Sequence, residues 1–483
     1  QLLHLQSLCA DATAPDAAKK NPATGYVISL KKNRTRAQML IQNLQKHRIV
    51  AHELKKTLTI KRKKFKPGDA VIVPSNQPQA RFLKGIMERV VTYQDSLFYD
   101  VSAWTLPLAY GVESYELRQN PSAYLGTQLN PVELNGGSVI GGRAQSAYLM
   151  KWDRYYSPKA LYTILNSGIL PRLTTLPFSA IIDGKEIQFD RGTIVIPVQQ
   201  RDADANISPD DIYKMVNHLA EIDHVSIYAT NSAATPMGPD LGGAFQGVLK
   251  KPKVAIFSGE GTSSYGVGEV WHLLNQKMGI PVSLLNAKKL NAAKLSKYNT
   301  LIIPDGDYTN LDSNDVSAIK AWIKSGGTLI ATQTGSKWVV NKKILDEKLK
   351  KGIKDTLDIP YDQVPAVTGA QRIGGAIFEI VLDNTHPIAY GYGKSAPVFR
   401  RGDTFYELSI KTAANVGRYT EAPLLSGYIS EEKLAEMEGT ASIVARREGQ
   451  GHVVLFADNP NFRAFWYGTN GLFLNAVFFG QAF

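Results

Sequence analysis

KVAIFSGEGTSS, residues 253–264, places a short apolar strand directly before a glycine-rich loop. The elements predicted after this loop alternate: helix 266–278, strands 282–285 and 300–304, helix 316–324 and strand 327–331. Strands and helices that alternate at this spacing favour a parallel, doubly wound sheet with right-handed crossovers. We therefore expect a doubly wound α/β domain over residues 246–483.

The chain upstream of this domain contains the same order of elements twice. Each copy reads as strand, helix, strand and a last strand stopped by a proline. Three matched pairs are separated by 122, 120 and 123 residues: Tyr26 and Tyr148, Ile49 and Ile169, Pro74 and Pro197. The pattern predicts two related α/β lobes, at 21–140 and 141–245, and a leader or linker at 1–20.

Composition excludes several classes of protein. The chain has 483 residues and 53.0 kDa, with 44% hydrophobic and 20% charged residues, which is typical of globular proteins and not of disordered or collagen-like chains. Its one cysteine, Cys9, forbids an intrachain disulfide. No apolar run reaches the length of a membrane span, so we expect none.

Positive charge is concentrated near the start of the chain. The net charge is +12, and the first 100 residues contain 18 basic and 7 acidic residues. The basic residues cluster at 31–36 and 61–66. Such clusters can bind phosphates or acidic surfaces, but they lack the interleaved aromatic residues of a nucleic-acid site. We expect a solvated face and no nucleic-acid partner.

Polar loops after predicted strands give the candidate ligand-binding residues. The loop at 259–263 could hold a phosphate or carboxylate at a helix N-terminus, although it lacks the Walker A and dinucleotide patterns. It could equally be a tight turn. The polar residues that follow Pro74 and Pro197 could bind a ligand or cap the next helix. The candidates are Gly259, Glu260, Gly261, Thr262, Ser263, Asn76, Gln77, Gln199 and Gln200.

Arg463 is a further candidate because it lies within an aromatic cluster near the end of the chain. The cluster consists of Phe462, Phe465, Trp466 and Tyr467. Such a group can contact a ligand or another domain, and it can also simply pack in a core. Both interpretations stay open.

One His-x-x-Glu pair, His218 and Glu221, has the spacing of two zinc ligands on one helix face. A third ligand is missing at a suitable distance, and the surrounding residues 208–222 read as an ordinary capped amphipathic helix. We expect no metal and no cofactor in this chain.

The segment Gly326–Gly335, GGTLIATQTG, resembles the strand and turn of class I glutamine amidotransferase-like domains, which have a flavodoxin-like fold. In that family the turn, called the nucleophile elbow, holds a catalytic cysteine. The corresponding residue here is Gln333, which offers no nucleophile. His386 and His452 then have nothing to activate, so we interpret both as structural and the elbow as degenerate.

Three longer segments, 100–108, 257–261 and 458–463, resemble the region that follows the peptidase domain in large bacterial zinc carboxypeptidases of the carboxypeptidase A type. The resemblance implies a secreted or periplasmic, non-catalytic accessory region that binds peptide or cell-envelope material. It also implies a partner, the N-terminal peptidase domain of the same protein, which would hold the zinc. The alternatives are a stand-alone binding protein for a small molecule, glycan or peptide and, third, a hydrolase or transferase with unrecognised residues.

Overall fold

The structure is a computed structural model, which describes residues 23–93, 102–134, 136–200, 207–287, 290, 292–352, 360–362, 364 and 369–483. The expected leader at 1–20 lies outside these residues. Within them, no helix combines the length and the apolar content needed to cross a bilayer.

The first part of the chain forms a five-stranded sheet. Its strands are β1 (Gly25–Ser29), β2 (His52–Leu54), β5 (Ala70–Pro74), β6 (Ser114–Leu117) and β7 (Leu125–Gln128), with a hairpin of β3 (Leu58–Ile60) and β4 (Lys63–Phe65) beside it. The helices are α1 (Arg34–Lys46), α2 (Ala80–Met87) and α3 (Leu106–Ala109). The strands pair in the order β6-β1-β5-β2-β7, all antiparallel.

The second part forms a six-stranded sheet. Its elements are β8 (Ser138–Ile140), β9 (Ala147–Met150), α4 (Ser157–Asn166), β10 (Arg172–Thr174), the hairpin β11 (Phe178–Ile182) and β12 (Lys185–Phe189), β13 (Ile194–Pro197), α5 (Pro209–Ile222), β14 (Ser226–Thr230) and β15 (Gln246–Val248). The order is β15-β10-β13-β9-β14-β8, in which only the edge pair β14–β8 is parallel.

The two sheets share one pairing scheme. When β9, β10 and β13 are matched to β1, β2 and β5, the order β14-β9-β13-β10-β15 reproduces β6-β1-β5-β2-β7, and the hairpin falls at the same place in each unit. Because these sheets are antiparallel, the rule that ligands lie at the carboxyl ends of parallel strands does not apply to them. Ligand binding by the polar residues after Pro74 and Pro197 therefore stays a prediction that this rule does not support.

The third part forms a nine-stranded mixed sheet. Its strands are β16 (Val254–Ser258), β17 (Val282–Asn286), β18 (Thr300–Ile303), β19 (Thr328–Thr332), β20 (Ala376–Leu382), β21 (Ser395–Arg400), β22 (Asn415–Ser426), β23 (Ala441–Glu448) and β24 (Gly451–Phe456). The order is β17-β16-β18-β19-β24-β23-β22-β20-β21.

The first five strands of this order are parallel, and their sequence of positions is 2-1-3-4-5, as in flavodoxin-like folds. The remaining four strands extend the sheet in antiparallel fashion. The predicted α/β, flavodoxin-like domain is therefore confirmed. The antiparallel extension does not follow from the alternation of strands and helices, because its strands pair with shifts of register.

Within the described residues, this part contains the helices α6 (Ser264–Trp271), α7 (Ala292–Leu295), α8 (Ser313–Lys324), α9 (Gln333–Asn341), α10 (Glu431–Met437) and α11 (Tyr467–Phe479). Asp312 begins α8 with a capping box that it shares with Asp315. The helix predicted over 266–278 is interrupted, since the chain continues after α6 as a π-helical turn at His272–Lys277. Such turns often occur near functional sites.

Helix α11 fastens the second part of the chain to the third. Trp152 donates its indole N–H to Asn475 Oδ1 at 2.7 Å, and Tyr155 donates to Asn470 Oδ1 at 2.9 Å. Asn475 Nδ2 in turn donates to the carbonyls of Ile388 and Tyr390, both at 2.9 Å. The helix is apolar on nearly all sides, as expected of one buried in a core.

Candidate functional site

A cleft of about 1020 Å³ lies at the carboxyl ends of β16, β18, β19 and β24. We call it the elbow cleft. It is formed by the turn after each strand and by residues 400–406 after β21. The carboxyl edge of an open parallel sheet is the usual place for a ligand in this fold class, and the volume suits a small molecule.

Gln333 stands at the elbow itself. It follows β19 directly, begins α9 and has φ +49°. This left-handed conformation costs a non-glycine residue about 1–2 kcal/mol. The turn is tight as well, since a side chain at Gly335 would come within 2.3 Å of the Pro304 carbonyl oxygen. The strand, elbow and helix are therefore present, with an amide where a nucleophile would stand.

The Gln333 amide lines the cleft and makes no hydrogen bond to another residue within the described part of the chain. An amide can donate and accept hydrogen bonds but cannot attack a carbonyl. The elbow thus presents a hydrogen-bonding amide to the cleft.

A second strained turn, after β24, also lines the cleft. Arg463 and Ala464 have φ values of +48° and +57°. Of the ten non-glycine residues with positive φ in the described ranges, three line this cleft: Gln333, Arg463 and Ala464. Strained backbone of this kind is concentrated at functional sites. The Arg463 guanidinium is exposed and lies 5.2 Å from the ring centres of Trp104 and Phe462.

Glu269 on α6 holds the turn after β24 in place. Its carboxylate accepts hydrogen bonds from the Arg463 backbone N–H at 2.6 Å and from Asn459 Nδ2 at 2.8 Å. The side chain is 8% exposed. Burial raises the pKa of Glu269, the charge of Asp305 adds to this, and the two hydrogen bonds act against it. A cleft carboxyl of this kind titrates closer to neutral pH than an exposed glutamate.

Asp305 follows β18 and pairs with the first turn of α9. Thr334 donates its hydroxyl to the Asp305 carboxylate, and the Gly306 N–H donates to Thr334 Oγ1 at 2.8 Å. These contacts hold the loop after β18 against the elbow. Lys337, one turn further along α9, is exposed at the rim of the cleft.

The floor of the cleft is a buried polar network around Arg400, which is 1% exposed. Arg400 donates to Tyr419 Oη at 2.9 Å and to Asp458 Oδ1 at 3.3 Å. Ser442 and Tyr419 donate their hydroxyls to the same carboxylate. The network ties β21, β22 and β23 to the turn after β24, so it fixes the position of Asn459 and Arg463.

The glycine-rich loop at 259–263 is mainly a packing turn. The Asp307 N–H donates to the Gly261 carbonyl at 2.6 Å, and a side chain at Gly261 would lie 2.2 Å from the Asp307 carbonyl oxygen. Thr262 donates its hydroxyl to the Gly259 carbonyl, while Glu260 belongs to the same turn. Of the five candidates in this loop, only Ser263 lines the elbow cleft, where it also caps α6.

Gln77 in the first lobe and Gln200 in the second make hydrogen bonds to backbone groups. Gln77 Nε2 donates to the Pro74 carbonyl at 2.6 Å, and its Oε1 accepts from the Val50 N–H at 2.8 Å. Gln200 repeats this, with 2.6 Å to the Pro197 carbonyl and 2.9 Å from the Leu170 N–H. Both amides stabilise a strand end. The neighbouring candidates Asn76 and Gln199 are exposed and lie far in sequence from the elbow cleft.

The candidate histidines His218, His386 and His452 are not among the residues that line the cleft. His218 and Glu221 are both exposed on α5, and the described residues contain no group of three His, Cys, Asp or Glu side chains placed to hold a metal ion. His386 and His452 lie together at Phe483, with ring centres 4.5 and 4.8 Å from the Phe483 ring. Burial lowers the pKa of His386 to about 4.

Of the site candidates from the sequence, Ser263 and Arg463 line this cleft, and the elbow expected at Gln333 lies within it. Sequence reasoning missed Glu269, Lys337 and Arg400. Glu269 sits within a helix whose pattern shows only one more polar residue, and Arg400 ends a strand of the antiparallel extension. The sequence signal for the turn that contains Arg463 was the polar pair Asp458 and Asn459. Both lie within three residues of the end of β24, the fifth parallel strand.

No family model and no curated protein matches the chain. Solved structures with similarity include a ThuA-like protein from Bacteroides uniformis, with 11% identity over 47% of this chain and 89% of that one at a TM-score of 0.29. A ThuA-like protein from Parabacteroides merdae has 12% identity over 48% and 90% at 0.29. A glutamine amidotransferase from Thermotoga maritima has 11% identity over 43% and 75% at 0.27. The strand order, and not these scores, carries the fold assignment.

Proposed function

We propose that the elbow cleft binds a small polar ligand with an anionic end, and that it does so without nucleophilic catalysis. The observation that supports this most is the residue at the elbow. Gln333 holds the strained conformation of a nucleophile but supplies only an amide. Strain kept at a residue that cannot attack a substrate is explained by binding.

The charges of the cleft support an anionic ligand end. Arg463, Lys337 and Arg401 line its rim, whereas the buried carboxylate of Glu269 already accepts two hydrogen bonds. A carboxylate would be held by the guanidinium and ammonium groups. The exposed ring of Tyr265 and the Gln333 amide suit the side chain and peptide groups that precede such a carboxylate.

The ligand class we propose is therefore the C-terminal end of a peptide. In this proposal the chain is a non-catalytic accessory region of a zinc carboxypeptidase-like protein, secreted or periplasmic, whose peptidase domain and zinc lie outside the chain. The alternative is a stand-alone protein that binds a small molecule, glycan or peptide. The two differ in the partner, because only the first requires a peptidase domain that binds this chain.

Isothermal titration calorimetry on the 483-residue chain tests the binding proposal. The probes are a mixture of short peptides with free C-terminal carboxylates and the same peptides with C-terminal amides. We expect binding of the free acids, and weakening by about tenfold on amidation, because one charged contact is lost. Equal affinity for acids and amides would contradict the anionic end.

Arg463→Gly removes the guanidinium while glycine tolerates the positive φ. It should weaken acid binding by about tenfold. Arg418→Ala is the matched control, since Arg418 is an exposed arginine on β22 outside the cleft. An unchanged affinity in Arg463→Gly would remove the proposed carboxylate site.

A further inference from the structure

A second cleft, of about 930 Å³, lies where the two lobes and the C-terminal domain meet. We call it the junction cleft. The first lobe lines it with residues 30–36, 68–69 and 111–113, the second with 151–154 and 190–193, and the C-terminal domain with 390–397 and Gly468. Its volume is in the range of small-molecule sites.

The junction cleft is positively charged. Seven basic side chains line it, four from the first lobe and three from the second: Lys31, Lys32, Arg34, Arg36, Lys151, Arg154 and Arg191. Four acidic side chains are also present: Asp69, Glu113, Asp153 and Asp190. Glu113 is paired with Lys63, which lies outside the cleft, and Asp69 is paired with Lys31 at 3.1 Å. An excess of positive charge therefore faces the cavity.

Arg36 is the most informative of these residues because it is buried, at 7% exposure. Its Nη1 donates to the carbonyls of Gly468 at 2.8 Å and Tyr467 at 3.3 Å. Among the described residues no carboxylate forms an ion pair with it. A buried charge without a counter-charge is costly, and burial accordingly lowers the pKa of Arg36.

Arg154 adds a donor that is unused. Its Nε is buried and has no hydrogen-bond partner within the described ranges, and the nearest carboxylate oxygen, Asp153 Oδ1, lies 3.8 Å away. Lys32 and Arg191 form no ion pair with any described residue. The cleft thus combines an uncompensated buried cation, an unused guanidinium donor and two unpaired charges at its rim.

We propose that the junction cleft binds a small anion that carries two or more negative charges on phosphate or carboxylate oxygens. Guanidinium groups match the paired oxygens of both kinds of ligand. The anion would supply the counter-charge that Arg36 lacks. Because three parts of the chain enclose the cleft, its shape favours a small molecule over a polymer.

The test is isothermal titration calorimetry of the full chain with pyrophosphate and, separately, citrate at low salt. Lys32→Ala combined with Arg191→Ala removes two rim charges. Lys185→Ala combined with Lys250→Ala is the control, because it removes the same charge from exposed positions outside the cleft. We expect the first double variant to weaken binding by about tenfold and the control by less than about twofold.

The preferred probe identifies the chemistry of the ligand, since pyrophosphate represents phosphorylated molecules and citrate represents polycarboxylates. Absence of heat with both probes on the unmodified chain would overturn the proposal. Equal weakening in the two double variants would also overturn it, because binding would then follow net charge alone. Thermal unfolding without ligand checks that each variant folds, and Lys32→Ala alone replaces the first variant should it not.

Discussion

At the scale of single residues, backbone conformation separates the elbow from an ordinary strand end. The left-handed φ of Gln333 costs free energy in every folded molecule, whether or not a ligand is bound. The remaining residues of α9 have no positive φ until the helix is over. The strain is therefore local to the elbow position, and its size can be measured by substitution.

Gln333→Gly should raise the free energy of unfolding by about 0.5–1 kcal/mol, because glycine adopts positive φ without the clash of a Cβ. Gln333→Val should lower it by about 1–2 kcal/mol, because a β-branched residue tolerates this region poorly. Urea denaturation measures both. Lys337→Gly is the control, since glycine at a helical φ in α9 should destabilise by about 1 kcal/mol. A loss of stability in Gln333→Gly would contradict the strain.

Glu269 gives a pH-dependent prediction at the same scale. Its folded-state pKa is raised by burial, so the stability associated with the protonated carboxyl is present below the unfolded pKa and is lost as pH rises through the folded one. E269Q cannot ionise and lacks this loss. The stability of the unmodified chain relative to E269Q should therefore fall as pH rises from the acidic range to neutrality.

Urea unfolding midpoints of both proteins, measured across that pH range, check the sign. If the stability of the unmodified chain relative to E269Q instead rises with pH, the hydrogen bonds from Asn459 and Arg463 outweigh burial. The carboxyl of Glu269 is then held ionised.

At the scale of secondary-structure elements, α11 connects the second lobe to the C-terminal domain. Asn475 connects Trp152 of the second lobe to the carbonyls of Ile388 and Tyr390. All these groups are buried, so each would lack a partner if the amide were removed. A buried polar group left without a partner costs about 1–3 kcal/mol.

Asn475→Leu should therefore lower the free energy of unfolding by about 2–4 kcal/mol, although it keeps the side-chain volume. Chemical denaturation followed by tryptophan fluorescence measures the change. Asn217→Leu serves as the control because Asn217 is exposed on α5. A cost below that of the control would show that α11 does not hold the lobes.

The elements themselves were predictable where apolar runs are continuous. The parallel strands β16, β18, β19 and β24 are buried on both faces and read as unbroken apolar segments. The antiparallel pairing of the strands in the lobes was not predictable. The sequence pattern of a short strand near a helix is the same whether the strand pairs parallel or antiparallel. The duplication of the lobes stays a prediction, which their common strand order supports.

At the scale of the whole molecule, the two clefts differ in the parts of the chain that form them. The elbow cleft lies within the C-terminal domain, whereas the junction cleft requires all three parts. Sequence could locate the elbow, since strand, turn and helix are consecutive. It could not reveal that Arg36 lies beside Gly468, because 432 residues separate them and no local pattern encodes the contact.

The zinc carboxypeptidase resemblance belongs to this scale and stays a proposal. It concerns a partner domain, and a stable complex between the separately produced peptidase domain and this chain would support it. Failure of the two to associate would favour the stand-alone binding protein. Either result leaves the chemistry of the two clefts to be tested directly.

The most direct test of the central claim is hydrogen–deuterium exchange of the full chain with and without peptides that carry free C-terminal carboxylates. Binding in the elbow cleft should protect the backbone at 263–269, 333–337 and 459–464, the segments that form its walls. Protection confined to the lobe segments 75–79 and 198–200, or no protection at any segment, would contradict the proposed binding site at the elbow.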